Sequence, residues 1–198
     1  TLMNENYTHP AMPKGVEEGI IKGMYQFSQS KAKGPKVQLL GSGVILREVI
    51  AAAELLKKDW GVSADIWSVT SFTELRREGL DVERWNLFNP DKKQKESYIS
   101  KCLAKAEGPV IASTDYMKSF ADQIRNFVQQ RYVVLGTDGF GRSDSREALR
   151  NFFEVDRHHV VLAALKALAD EGKLPASKAA EAIKKYKIDI NRPNPATI

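Results

Sequence analysis

The sequence predicts an α/β domain built on a parallel sheet, and three observations carry that prediction. From Val37 onward, short apolar runs alternate with amphipathic stretches, the pattern of strand–helix units that return to one sheet. Two of the runs end in glycine-containing corners, Gly41-Ser42-Gly43 and Gly136-Thr137-Asp138-Gly139-Phe140-Gly141, where a chain can turn from strand to helix. The length of 198 residues, 42% of them hydrophobic and 28% charged, is enough to bury one sizeable core.

The elements follow in order. Through Gly15 the chain carries Pro10 and Pro13 and reads as an extended lead-in and loop. Val16 to Phe27 reads as a helix, since Ile20, Met24 and Phe27 fall at helical spacing and Glu17 and Glu18 occupy the first turn, where the helix dipole favours acids. A turn over Lys31 to Lys36, with Gly34 and Pro35, divides the chain into an N-terminal arm, 1–35, and a compact α/β domain, 36–198. Val37 to Leu40 is a buried strand. Ile45 to Lys58 follows as a helix with Ile45, Val49, Ala52 and Leu56 inward and Arg47, Glu54, Lys57 and Lys58 mostly off that face. Ile66 to Val69 and Val110 to Ala112 are the second and third strands. A long connection separates them, containing Trp85-Asn86-Leu87-Phe88-Asn89-Pro90, with Asp91 to Glu107 partly helical. Tyr116 to Val128 is expected to be helical from the recurrence of Phe120, Ile124, Phe127 and Val128, and Tyr132 to Leu135 is the fourth strand. Arg146 to Phe153 and Val160 to Ala169 read as helices, the second stopped by Gly172. Pro175 to Tyr186 is a last helix with Ala179, Ala180 and Ile183 inward, and the tail, with Pro193 and Pro195, is irregular.

Charge and composition narrow the function. The net charge is +5, but residues 91–105 carry +3 and residues 173–187 carry +4, so the rest is close to −2. Both stretches are rich in lysine with only Tyr98 and Tyr186 among them, which fits solvated faces and not a nucleic-acid surface of arginines and stacking aromatics. No run approaches the ~20 apolar residues of a membrane span. The opening residues lack a basic region followed by an apolar stretch, and the start on Thr1 suggests a piece of a longer polypeptide. Cys102 is alone, so no internal disulfide can form; a reducing cytoplasm is the expected compartment and a buried, inert thiol the expected state.

The corner Gly136 to Ser143 has the form G-x-x-x-x-G-R-S, a phosphate-binding loop except for its arginine, and makes a nucleotide-binding protein one alternative reading; the long Ser71 to Glu107 connection and the basic stretches make a docking module for a partner subunit the other. Three features oppose the nucleotide reading. Arginine does not replace the compact lysine ammonium, Asp138 and Asp144 would repel a polyphosphate, and the loop follows the last strand and does not open the domain. Asp144 with Glu147 also forms a capping-box-like pair for the helix that follows. Gly41-Ser42-Gly43 lacks the third glycine of a dinucleotide fingerprint, and Val69 is followed by Thr70-Ser71 and not by an acid. Candidate ligand or interface residues are therefore Gly41, Ser42, Gly43, Asp138, Arg142 and Ser143. His158-His159, with His9 distant, has no third metal ligand at useful spacing, and no serine stands in a nucleophile elbow. No catalytic, cofactor-binding or metal residue is assigned.

Leu39-Leu40-Gly41-Ser42-Gly43, Ser68-Val69-Thr70-Ser71-Phe72-Thr73-Glu74-Leu75, Ala112-Ser113-Thr114-Asp115-Tyr116-Met117-Lys118 and Leu135 to Ser145 together closely resemble the C-terminal domain of homodimeric bacterial pyruvate dehydrogenase E1 components. Met3-Asn4-Glu5-Asn6-Tyr7 and Arg84-Trp85-Asn86 fit as well, so the resemblance spans nearly the whole chain. More broadly, the chain resembles the transketolase-like C-terminal domain of thiamine diphosphate enzymes. The resemblance implies a three-layer α/β/α sandwich around a mostly parallel sheet of about five strands. It implies a parent oxidoreductase that uses thiamine diphosphate and Mg²⁺ to decarboxylate pyruvate and pass the acetyl unit to the lipoyl group of the E2 dihydrolipoyl acetyltransferase. The family's Gly-Asp-Gly diphosphate segment is absent here, so the resemblance implies a structural, dimer-assembly role with no cofactor bound by this segment and no activity in isolation. The implied partners are the other domains of the same subunit, a second subunit and E2, with neither nucleic acid nor membrane involved.

Overall fold

The computed structural model describes residues 6–8 and 10–198. The expected lead-in falls partly on residues 1–5 and 9, and Met3, Asn4, Glu5 and His9 lie outside the described residues. Helix α1 (Glu17–Lys22) is shorter than its spacing predicts, because Gly23 closes it in the left-handed conformation with φ of 101°. The chain then enters strand β1 (Met24–Ser28), whose Met24 and Phe27 fit a helix only on paper. Gly23 accepts hydrogen bonds at its carbonyl from Thr70 and Ser71 N–H, at 2.9 and 3.0 Å, which sets β1 alongside the strand that precedes those residues.

That strand is β3 (Ser63–Val69), which follows β2 (Lys36–Ser42) and α2 (Leu46–Trp60). Helix α3 (Phe72–Phe88) starts at Ser71, whose Oγ accepts from Glu74 N–H at 3.0 Å. It fills most of the long connection and is followed by α4 (Tyr98–Leu103). Between them, Asn86 ties the lysine-rich loop by exchanging hydrogen bonds with the Lys95 backbone, and Lys95 Nζ lies 4.0 Å from the Trp85 ring centroid. Strand β4 (Val110–Ser113), α5 (Lys118–Asp122), β5 (Tyr132–Leu135), α6 (Arg146–Phe152), α7 (Arg157–Asp170) and α8 (Ser177–Lys185) complete the order.

Helix α5 is much shorter than the predicted 116–128 span, which continues only as a 3₁₀ turn over Arg125–Phe127. The carbonyls that would carry the helix onward are engaged by side chains: Tyr132 OH donates to Ala121 O at 2.8 Å and Gln123 Nε2 to Phe120 O at 2.7 Å. Helix α8 buries Ala179 and Ala182, while Ala180, expected inward, is exposed. The tail closes with a 3₁₀ turn at Pro195–Thr197.

The five strands lie in the order β1-β3-β2-β4-β5, with β1 antiparallel at one edge and the other pairings parallel. Helices α2, α7 and α8 cover one face over Leu39, Ile66 and Ile111. Helices α3, α4 and α5 cover the other over Leu40, Trp67, Val110 and Ala112, giving the three-layer sandwich. The predicted inner face of α2, Ile45, Val49, Ala52 and Leu56, is fully buried, and each such large side chain contributes roughly 1.5–3 kcal/mol. At the amino ends of the strands a buried network holds register: Trp67 Nε1 donates to Gln38 Oε1 at 2.8 Å, and Gln38 Nε2 donates to Asp65 Oδ2 at 3.2 Å. No described helix is long and apolar enough to cross a membrane.

Candidate functional site

Strand β2 connects to β3 on one side, and the chain then crosses back to β4 on the other, so the strand order reverses between β2 and β4. In open α/β sheets the crevice at the carboxyl ends of such strands is where ligands bind. Here it is braced from within. Ser42 Oγ, ending β2, donates to Thr114 Oγ1 at 2.8 Å, and Thr114 Oγ1 accepts from Tyr116 N–H at 3.2 Å. Thr137 joins the next pair of loops, donating from Oγ1 to Asp115 O and from N–H to Tyr116 O, at 2.8 and 2.9 Å.

The crevice beside these loops has a volume of about 270 Å³, with Val44, Ile45, Leu149 and Phe153 on its apolar side and Tyr7, Asp115, Arg142 and Arg150 among its polar groups. Burial pushes the Asp115 carboxyl up, against the charges of Arg150 and Arg146. Tyr7 arrives from the start of the chain. Arg150 Nη2 donates to its hydroxyl at 3.3 Å, and the Arg47 and Arg150 guanidiniums lie 5.1 and 5.8 Å from its ring centroid.

Arg150 also holds the buried Glu48, Nη1 to Oε1, at 3.2 Å. Arg157 completes that cluster, donating to Oε2 from Nε at 2.9 Å and from its N–H at 3.0 Å, and to Oε1 from Nη2 at 3.1 Å. Burial alone would raise the Glu48 carboxyl, but the Arg157 bonds and charge, with Arg150 behind them, hold it below the usual carboxylate range. Next to it a wider groove of about 1110 Å³ runs between α2 and the α6–α7 segment.

The six sequence candidates separate into two groups. Gly41 and Ser42 end β2 and Gly43 opens the 3₁₀ turn into α2, all beside the crevice. A Cβ on Gly41 would stand 2.8 Å from Leu46 Cα, so its smallness serves strand–helix contact. Asp138, Arg142 and Ser143 lie on the β5–α6 loop. Asp138 Oδ1 accepts from Lys118 N–H at 2.8 Å, and Arg142 lies over the Phe152 ring at 4.4 Å. Ser143 is exposed. The helix cap is Ser145 and not Asp144: Ser145 Oγ accepts from Ala148 N–H at 3.3 Å, while Asp144 Oδ1 accepts only from Ser145 N–H.

Two of the three loop glycines face protein, unlike the open backbone of a phosphate cradle. A Cβ on Gly136 would meet Lys118 N and Tyr116 O at 2.7 Å, and one on Gly139, at φ of 106°, would meet Pro195 O at 2.2 Å. Gly141 has open space and needs no glycine. The loop offers little to a diphosphate with Mg²⁺: Gly136 and Gly139 pack on Lys118, Tyr116 and Pro195, and Asp138 Oδ1 already accepts from Lys118 N–H. Among the described residues, no group of three or more His, Cys, Asp or Glu could hold a metal ion.

His158 and His159 occupy the first turn of α7, which Asp156 caps by accepting from both their N–H groups at 3.0 Å. His158 stacks on Tyr186, and the buried His159 places Nδ1 2.7 Å from Asp156 Oδ1. Cys102 is half-buried, and burial pushes its thiol up, which disfavours the thiolate. Sequence reasoning missed Tyr7, Glu48, Arg150 and Arg157 as a cluster; the helical spacing of Arg146 and Arg150 was its one visible sign.

Comparison with known proteins accords with this geometry. Residues 23–156 match the family model for the transketolase-like TK C-terminal domain, a span that includes all five strands. A pyruvate dehydrogenase E1 component from Cupriavidus necator is 66% identical over 200 residues, covering 100% of this chain and 22% of that protein. One from Pseudomonas aeruginosa is 64% identical, covering 98% of this chain and 22% of that protein. The chain thus spans about a fifth of the length of these relatives. The transketolase of Leishmania mexicana shares the fold, with a TM-score of 0.51 at 17% identity over 81% of this chain and 21% of that one. With the family model matched over residues 23–156 and relatives at 66% and 64% identity, the chain belongs to the transketolase-like C-terminal domain family.

Proposed function

We propose that this chain is the C-terminal domain of a pyruvate dehydrogenase E1 component and serves that enzyme by assembly, with the chemistry performed elsewhere in the polypeptide. The observation that carries the proposal is the 66% identity across the full chain to a protein of that name. The parent enzyme decarboxylates pyruvate oxidatively and passes an acetyl unit to the lipoyl group of E2, with thiamine diphosphate and Mg²⁺ supplying the electron sink. In that setting the domain sits among the other domains of its subunit, in a cytoplasmic homodimer that works with E2. The site supports a non-catalytic role: Gly41, Gly136 and Gly139 abut protein atoms, Ser42 and Thr114 satisfy each other, and Arg150 is engaged by Glu48 and Tyr7.

A domain exchange tests this. The Cupriavidus necator enzyme, with its matching region replaced by this chain, should keep pyruvate-dependent acetyl transfer within about fivefold of the parent, roughly 1 kcal/mol of barrier. A folded chimera with no transfer would sink the proposal.

A further inference from the structure

The crevice end of the sheet presents apolar groups that the fold leaves uncovered. Phe140 is 82% exposed and Met117 60% exposed, yet both ride on loops held firmly in place. Asp138 caps Lys118, Thr137 bonds Tyr116 O, and the close approaches at Gly136 and Gly139 fix the chain on either side of Asp138. An exposed phenylalanine on a pre-set loop forfeits little freedom when it is covered, which is the character of an interface anchor.

The start of the chain leads to the same end of the sheet. Tyr7 is fixed there by Arg150 and Arg47. Whatever polypeptide precedes Tyr7 therefore joins the domain beside the crevice. The relatives are about four to five times longer than this chain, which covers 22% of them.

We infer that the carboxyl end of the sheet, anchored by Phe140 and Met117, is the face that docks against the preceding part of the same polypeptide. The inference rests on the proposed E1 reading and names the partner of the face that reading leaves open. A second exposed apolar stripe, Leu80, Leu87 and Phe88 on α3, serves as the comparator.

The experiment uses the full-length subunit carrying this domain, with Phe140→benzoylphenylalanine or, in parallel, Leu87→benzoylphenylalanine, assembled from a mixture of ¹⁴N- and ¹⁵N-labelled chains and irradiated. The expected result is crosslinks from position 140 to residues upstream of Thr1 within one isotopic label, at least several-fold more abundant than any upstream crosslink from position 87. Mixed-label crosslinks from position 140, identifying a second subunit as the occupant, would overturn the inference. So would upstream crosslinks from position 87 with none from position 140. An inactive chimera in the exchange described above, with the upstream crosslink intact, would sink the E1 reading alone.

Discussion

Arg157 grips Glu48 with three donors across 109 residues of sequence, two from its guanidinium and one from its own backbone N–H. The carboxylate belongs to the first turns of α2 and the arginine to the first residue of α7, so the pair ties together two of the three helices that cover one face of the sheet. Glu48 is buried while Arg157 is half exposed, so the attraction is screened on one side.

Glu48→Ala should therefore cost about 3 kcal/mol, the low end for a broken buried pair, even though Arg150 is left without its carboxylate as well. Urea unfolding checks this. The double variant Glu48→Ala with Arg157→Ala should lose less than the sum of the single losses, and strict additivity would show the pair to be uncoupled.

Acid should weaken the start of α7. Burial would raise the Asp156 carboxyl, but hydrogen bonds from the His159 side chain and N–H, the His159 charge and Asn151 bring it from 3.8 down to about 2. A carboxyl lowered by folding adds stability that is complete above its unfolded value and lost as pH falls toward its folded one. The contribution is about 2 kcal/mol, fading between roughly pH 5 and pH 2. Asp156→Asn should flatten the stability–pH curve in that window, measured by unfolding at successive pH values; an unchanged slope would refute it.

Gly139→Ala and Gly141→Ala should part company. The first forces a side chain to φ of 106° and toward Pro195 O, at a cost of about 1–3 kcal/mol or roughly 2–12 °C in Tm. The second enters open space and should stay within about 0.5 kcal/mol of the parent. Equal losses at both positions in a thermal melt would contradict the assignment of the loop as a packed corner.

Millimolar ATP with Mg²⁺ should leave the melting temperature of the chain unchanged, since any ligand selective for the folded state raises it. Arg142→Ala should cost only the contact over Phe152, about 0.5–1 kcal/mol. A nucleotide-dependent rise that Arg142→Ala removes would restore the phosphate-loop reading.

How legible the fold was depended on whether a segment's fate was decided locally. Strands β2, β3, β4 and β5 and the buried side of α2 are written in short apolar runs and a clean helical period. Strand β1 is not, because Met24 and Phe27 satisfy both periods and only Gly23 and its bonds to Thr70 and Ser71 decide between them. Helix α5 was overread for a similar reason: Tyr132, ten residues beyond its end, takes the Ala121 carbonyl. At the candidate site the glycine corners were visible as turns. Glu48 carries no local mark of its role on an amphipathic helix, because nothing near it in sequence announces Arg157. Tyr7 gave no local sign that it would meet Arg150, 143 residues away.

The most direct test of the central claim is pyruvate decarboxylation by the purified 198-residue chain, with thiamine diphosphate and Mg²⁺ present and the full-length parent enzyme assayed beside it. Turnover is expected of the parent and not of the chain. Turnover by the chain alone would show that it carries the chemistry after all.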